Sequence, residues 1–291
     1  MGAKDLAVVA ASVAITLLLT RIWSSRRCTR SRNRKKLPHR IILVRHGQSE
    51  GNVNPVLYRD VPDNAMPLTD LGKRQARAAG EAIKAIIGDE SMRCIVSPCT
   101  RTIETFEEIM AAWGDAAANI PWTEEPRIRE QDFGNFQNPD QIRECKIQRR
   151  KFGGFFYRFP SGESPADVYD RISSFLESLH RMFMRKAEQN YVLVAHGVTI
   201  RILLMRYFRY TIAEYEALEN FHNAEFVVLE HNGDGAFRIA KIVHPQVDPS
   251  TLAVSIHEAP HVRVLSSRAH RESSLSASYD KRTLCWDDNP M

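Results

Sequence analysis

Cysteine is scarce in this 291-residue chain, and its five copies (Cys28, Cys94, Cys99, Cys145 and Cys285) are odd in number with no metal-ligand spacing among them. That pattern excludes a disulfide-stapled scaffold and a structural zinc site, and reduced thiols in a reducing compartment are the simplest account. Internal repeats are absent, which removes the stacked-repeat architectures. Two more absences lie near the N-terminus. No charged residue occurs from Leu6 to Thr20, and no Asp or Glu from Arg21 to Arg40.

Those two gaps mark an apolar run followed by a basic one. As a helix, Leu6 to Thr20 reaches only about 22 Å, or about 27 Å if Ile22 and Trp23 are added while Arg21 snorkels, which suits a single anchor in a thinner membrane. A cleaved signal peptide is the rival reading. It wants a positive start and a small-x-small cleavage site, whereas here Lys4 is offset by Asp5 and the run leads into Arg, Trp and Ser. Nine Lys and Arg residues lie from Arg21 to Arg40. They favour holding that flank, and the bulk of the chain, on the cytosolic side close to anionic headgroups. Taking this +9 from the net charge of +5 leaves about −4 for the rest. One segment therefore accounts for the basic balance, and no nucleic-acid partner is expected.

What remains is ample for a packed core, at 43% hydrophobic residues overall. The expected organisation is an anchor over residues 1–23, a basic linker over 24–39, one α/β domain over 40–244, and a disordered tail over 245–291, where the pattern fades into Ser, Arg and Ala. Within the domain, Ile41-Ile42-Leu43-Val44 is an apolar run ending in Arg45-His46-Gly47. Four aliphatic residues in a row suit a strand covered on both faces, and ligands gather beyond the carboxyl ends of such strands. Tyr191 to Ala195 repeats the arrangement, ending in His196-Gly197. Two strands with the same tip argue for one pocket holding two imidazoles.

With Arg45, His46, Gly47, Ser49 and Asn52 spelling Arg-His-Gly-x-Ser-x-x-Asn, the chain resembles the histidine phosphatase superfamily, also called phosphoglycerate-mutase-like. The resemblance implies a mainly parallel central sheet with helices on both faces. It extends to Leu68 to Ala76, which fits Leu-Thr-x-x-Gly-x-x-Gln-Ala. There Thr69 caps a helix bearing Leu71, Ala79, Ile83 and Ile86 and ended by Gly88. A short strand over Arg93 to Val96 leads to Ser97-Pro98-Cys99-Thr100-Arg101, and the resemblance makes Arg101 a phosphate ligand. Ile120 to Trp122 reads as an edge strand. In Arg129-Glu130-Gln131-Asp132-Phe133-Gly134 the resemblance makes Glu130 the proton donor, with Asp132 in reserve.

From Asn138 to Pro160 comes an inserted helix and loop rich in Arg, Lys and Phe. It reads equally as a charged face with aromatic core filler or as a cap whose Arg149 and Arg150 meet substrate. The wording from Arg129 to Phe136 and from Phe155 to Ser164 resembles the plant and fungal broad-range acid phosphatases. It departs from the mutases, which have Arg-His-Tyr-Gly where this chain has Gln131-Asp132-Phe133-Gly134. Ser164, Pro165 and Asp167 open a helix with an apolar stripe from Val168 to Phe183. Another helix runs from Val198 to Phe208, its start at Gly197 aiming N–H groups at the pocket. A helix from about Ile212 to Leu218 follows, and Phe226 to Leu229 with Ala236 to Val243 forms a hairpin.

A phosphate monoester needs clustered cations and donors. Arg45, Arg101 and His196, with Ser49, Asn52 and the Gly197 N–H, supply them. The residues alone leave His46 and His196 nearly symmetric, and the resemblance makes His46 the nucleophile. The implied activity is hydrolysis of small phosphorylated metabolites through a phosphohistidine, without metal or other cofactor. A mutase and a silent phospho-ligand-binding scaffold are the alternatives.

Overall fold

In β1 (Arg40–Arg45) the side chains alternate, so that Ile41 and Leu43 enter one apolar core and Ile42 and Val44 another. Strand β4 (Asn190–Ala195) divides in the same way: Tyr191 and Leu193 go to the first core, and Val192 and Val194 to the second. A sheet buried on both faces follows directly from these unbroken aliphatic runs. The computed structural model describes residues 37–134, 139–185, 188–233, 235–245 and 255–257. The anchor, most of the basic linker and most of the C-terminal tail expected from the sequence lie outside the described residues. Among those described, no helix is long and apolar enough to cross a membrane.

Two helices cover each face. On one side lie α2 (Asp70–Ile87), after the short α1 (Glu50–Val53), and α3 (Thr100–Met110), which follows β2 (Met92–Val96). They bring Ala79, Ile83, Phe106 and Ile109 onto the sheet. On the other side α5 (Pro165–Arg185) contributes Val168, Ile172, Phe175, Leu179 and Phe183, and α6 (Gly197–Phe208) contributes Ile200, Ile202 and Leu203. The caps read from sequence are in place. Thr69 Oγ1 accepts from Gly72 N at 2.9 Å, and Gly88 ends α2 at φ +58°. Ser164 N and Oγ donate to Asp167 at 2.7 and 2.6 Å. A single such cap is worth about 1 kcal/mol.

The remaining elements are β3 (Trp122–Glu124), α4 (Pro139–Phe152), α7 (Ile212–Glu216), β5 (Phe226–His231), β6 (Phe237–His244) and β7 (Ser255–His257). The strand order is β3-β2-β4-β1-β5-β6-β7. The expected mainly parallel sheet is corrected here. β3, β2, β4 and β1 are parallel, but β5, β6 and β7 are antiparallel, so the sheet is mixed. The reason lies in Leu218 to Ala224, which returns the chain to the tip of β1, where Ala224 N donates to His46 O at 3.0 Å. A strand starting from that tip must run against β1. The three residues of β7 also lie within the stretch expected to be a disordered tail. The alternation of Leu252, Val254 and Ile256 is the local signal for it.

The inserted segment divides its aromatics. Phe155, Tyr157 and Phe159 are buried, with Tyr157 and Phe159 packed on Cys145 and Phe133, whereas Phe152 and Phe156 are exposed. Helix α4 itself approaches the turn Pro55–Arg59 that follows α1.

Candidate active site

Register brings the two histidines together. Strands β1 and β4 pair in parallel with Arg45 opposite Ala195, and His46 N donates to Ala195 O at 3.0 Å. The next residue of each chain end is therefore an imidazole at the same level. The two ring centroids are 5.3 Å apart, and both side chains are buried, His46 at 4% and His196 at 0% exposure. Strand β2 ends one position along, and Ser97 N donates to Val194 O at 3.0 Å, which sets Ser97 beside His196.

The two rings are held differently. His46 Nδ1 stands 2.7 Å from the carbonyl of Gly47. A carbonyl only accepts, so Nδ1 carries the hydrogen and the lone pair is on Nε2. His196 Nε2 is 2.7 Å from Ser97 Oγ, and its buried Nδ1 has no protein partner. If the serine hydroxyl donates, Nδ1 of His196 becomes an N–H donor.

The loop after His46 is pressed against the start of α2. A Cβ on Gly47 would lie 2.4 Å from Gly72 O, and one on Gly72 2.1 Å from Gln48 O, so neither position admits a side chain. Gly47 N donates to Thr105 Oγ1 at 3.0 Å. Ser49 N and Oγ both donate to Asn52 Oδ1 at 3.0 Å, and Asn223 Nδ2 donates to Asn52 Oδ1 and to His46 O at 3.3 Å. Gly197, at the start of α6, lies against the Asn220 amide, where a Cβ would come within 2.1 Å of Oδ1.

Both arginines act on both histidines. Burial first, then the charges of Arg101 and Arg45, hold His46 well below its ordinary pKa. His196 is lowered by burial, then by Arg101, His46, Arg171 and Arg45. Both rings are thus neutral imidazoles near pH 7. Arg45 Nη1 donates to Phe221 O. Arg101 is 3% exposed and donates from Nη1 to Asp63 O at 2.5 Å and from Nη2 to Asp63 Oδ2 at 3.0 Å.

Glu130 moves the other way. Loss of solvent raises its pKa, against the lowering pull of Gln131 N–H, Arg101 and Arg45. Arg171 on α5 fixes the loop that carries it, donating to the carbonyls of Arg127, Arg129 and Glu130 at 2.6, 2.9 and 2.9 Å. The same guanidinium takes Glu163 at 3.1 Å through two nitrogens, and Thr199 Oγ1 donates to Arg129 O at 2.7 Å. Asp132 is exposed and bonded within its own loop, its Oδ1 accepting from Gly134 N at 2.8 Å.

The site residues expected from sequence therefore fall into two groups. Arg45, His46, Ser49, Asn52, Arg101, Glu130, His196 and Gly197 share one region at the strand tips. Arg149 lies elsewhere, its Nε donating to Gly154 O at 3.3 Å, with Arg201 and Glu216 as its charged neighbours, and Arg150 is exposed on α4. Neither is among the charges felt by the two histidines. Residues that sequence reasoning missed are Asp63, Ser97, Thr105, Asn223, Glu163 and Arg171, joined by Tyr58, whose phenol burial pushes up to about 12. Among the described residues no group of three or more His, Cys, Asp or Glu is placed to hold a metal ion.

Comparison with known proteins agrees with this geometry. The family model of the histidine phosphatase superfamily (branch 1) matches residues 41–243. The phosphoglycerate mutase-like protein AT74H of Arabidopsis thaliana is 45% identical over 223 residues, covering 71% of this chain and 79% of its own. A broad-range acid phosphatase of Saccharomyces cerevisiae, DET1, is 30% identical over 285 residues, covering 66% and 85%. Among solved structures, a mycobacterial glucosyl-3-phosphoglycerate phosphatase superposes with a TM-score of 0.54 at 24% identity, covering 69% of this chain and 97% of its own, a likeness of fold.

Proposed function

The chain belongs to the histidine phosphatase superfamily, and from that premise we propose that it is a phosphomonoesterase working through a phosphohistidine on His46. The observation that carries the reading is the bond from His46 Nδ1 to the Gly47 carbonyl, which leaves a lone pair on Nε2 of a neutral ring. Nε2 attacks phosphorus, a P–N bond forms, and the ester P–O bond breaks. Glu130, whose pKa burial raises, gives its proton to the departing oxygen. Water then attacks phosphorus, Glu130 takes one proton from it, and the P–N bond breaks to release phosphate.

Arg45, Arg101 and the His196 Nδ1 hydrogen would neutralise the phosphoryl oxygens. The Asn52 amide, its oxygen already accepting from Ser49 and Asn223, has its N–H groups to offer. With charge handled by side chains, no metal is called for, and turnover should be unchanged after EDTA treatment. The likeness to a yeast broad-range acid phosphatase supports hydrolysis of several small monoesters. Residues 6–23 and the basic linker would tether the domain to a membrane, facing the cytosol.

His46→Ala should abolish hydrolysis of p-nitrophenyl phosphate while the far-ultraviolet circular dichroism stays that of wild type. Retained turnover in that variant refutes the phosphohistidine. A wild-type protein that hydrolyses no monoester in a broad panel would point to a phospho-ligand-binding scaffold. The mutase reading, in which Arg149 and Arg150 would hold a second anionic group, predicts bisphosphoglycerate-dependent interconversion of phosphoglycerates.

A further inference from the structure

The buried Arg101 is shared with a carboxylate that the mechanism above does not use. Asp63 holds two of its N–H groups, one through the main-chain oxygen at 2.5 Å and one through Oδ2 at 3.0 Å. A guanidinium has five donors, so three are left for a phosphoryl group. The aspartate is built in. It opens the tight turn Asp63–Ala65 directly after Pro62, that turn packs on α3, and Ala65 N closes it on Pro62 O at 2.9 Å. The main-chain bond keeps the Asp63 backbone on Arg101, so the carboxylate stays beside the guanidinium whichever rotamer it takes. Yet its side chain is 47% exposed, against 4% for that of Arg101, so the carboxylate stands on the rim and the arginine beneath it.

The rim carboxylate is bonded to Arg101, which the proposed mechanism sets on the phosphoryl group, and its charge reaches the proposed proton donor. The charge of Asp63 is felt by Glu130, by Tyr58 and by Cys99, as well as by Arg101. An ester seated on Arg101 therefore has the Asp63 carboxylate beside it, within reach of the alcohol that the ester carries. We infer that Asp63 selects substrates by charge, admitting phosphate esters of neutral or cationic alcohols and disfavouring those whose alcohol bears a carboxylate or a second phosphate. This rests on the phosphomonoesterase reading and gives it a substrate class. It also supplies a chemical reason for a phosphatase and against a mutase, whose substrates keep a carboxylate beside the ester.

The test compares sn-glycerol 3-phosphate with 3-phosphoglycerate, which differ by a hydroxymethyl against a carboxylate, and adds phosphoethanolamine as the cationic case. In the full-length wild type, kcat/KM for glycerol 3-phosphate should exceed that for 3-phosphoglycerate by roughly tenfold or more, the scale of one like-charge contact away from bulk water. Asp63→Asn should bring the two within about threefold and lower the relative rate on phosphoethanolamine, whereas Asp63→Glu should keep the wild-type ranking. If Asp63 only holds Arg101 in place, Asp63→Asn will slow all three esters by one common factor, and an unchanged ratio overturns the inference. Calorimetric binding of the same esters to His46→Ala protein, with and without Asp63→Asn, reads the selection without turnover. Absence of hydrolysis would then sink the hydrolase reading alone, while equal affinities for the two esters would sink charge selection.

Discussion

His46 and Glu130 have opposite needs, and burial serves both. An imidazole attacks only when neutral, and a carboxyl donates only when protonated. Removing water lowers the pKa of His46 and raises that of Glu130, and both shifts favour the neutral imidazole and the protonated carboxyl that the proposed reaction uses. The sign is then fixed. The rate should fall on the acid side as His46 takes a proton, below its ordinary 6.5, and on the alkaline side as Glu130 loses one, above its ordinary 4.5. Glu130→Gln should erase the alkaline limb of kcat/KM against pH. It should also cost about 10²–10⁴ in rate on an alkyl phosphate, and less on p-nitrophenyl phosphate, whose leaving group needs little help. A full alkaline limb in the glutamine variant would hand the acid role to another residue. At this scale the sequence was readable where a residue stands in a local pattern, as His46, Arg101 and Glu130 do. Ser97, Asn223 and Asp63 were not readable as partners. Their positions come from the pairing of β2 with β4, the return of the chain to β1, and a turn folded back onto α3, none of which leaves a local mark.

Helices and strands were legible for the same reason, since caps and apolar periods are written within a few residues. Thr69, Gly88 and the Ser164–Asp167 pair mark helix ends that the fold reproduces. The antiparallel half of the sheet was less legible, because direction depends on where a connecting segment delivers the chain. Long-range clamps were invisible. Arg171 on α5 holds the carbonyls of Arg127, Arg129 and Glu130 together with Glu163, the Arg171 and Glu163 side chains being 11% and 15% exposed, and so fixes the loop bearing Glu130 from a different layer of the fold. Arg171→Ala should cost about 3 kcal/mol, as breaking a largely buried ion pair does, measured as a shift in urea midpoint. Its effect on catalysis should fall on kcat rather than KM, with Arg171→Lys restoring only part because an ammonium lacks the planar fork. A loss confined to KM would mean that Arg171 reads substrate instead. The glycine contact between the first loop and α2 makes a second element-level case. Gly72→Ala pushes a methyl into the Gln48 carbonyl and should destabilise by about 1–3 kcal/mol, the usual cost of overpacking.

For the molecule as a whole, the division of charge along the chain matters more than its sum. The basic excess is concentrated before the first strand, and the remainder is mildly acidic, so an anionic substrate is drawn in by the local field of Arg45 and Arg101 rather than by the protein at large. Inorganic phosphate at about 100 times its Kd should therefore raise stability by about 2.7 kcal/mol, and Arg101→Ala should remove most of that gain in a thermal scan. The same segregation bears on location. On the proposed tether, the apolar run would enter a bilayer, and each of the nine cations near an anionic surface would add about 1 kcal/mol. In flotation with vesicles containing phosphatidylserine, the full chain should rise with the lipid and resist extraction by 1 M salt, since apolar insertion is not screened. A chain restricted to residues 38–245 should stay at the bottom while keeping full activity on p-nitrophenyl phosphate. Flotation of the shorter chain would move the membrane contact onto the folded domain, and release of the full chain by salt would reduce the anchor to an electrostatic one.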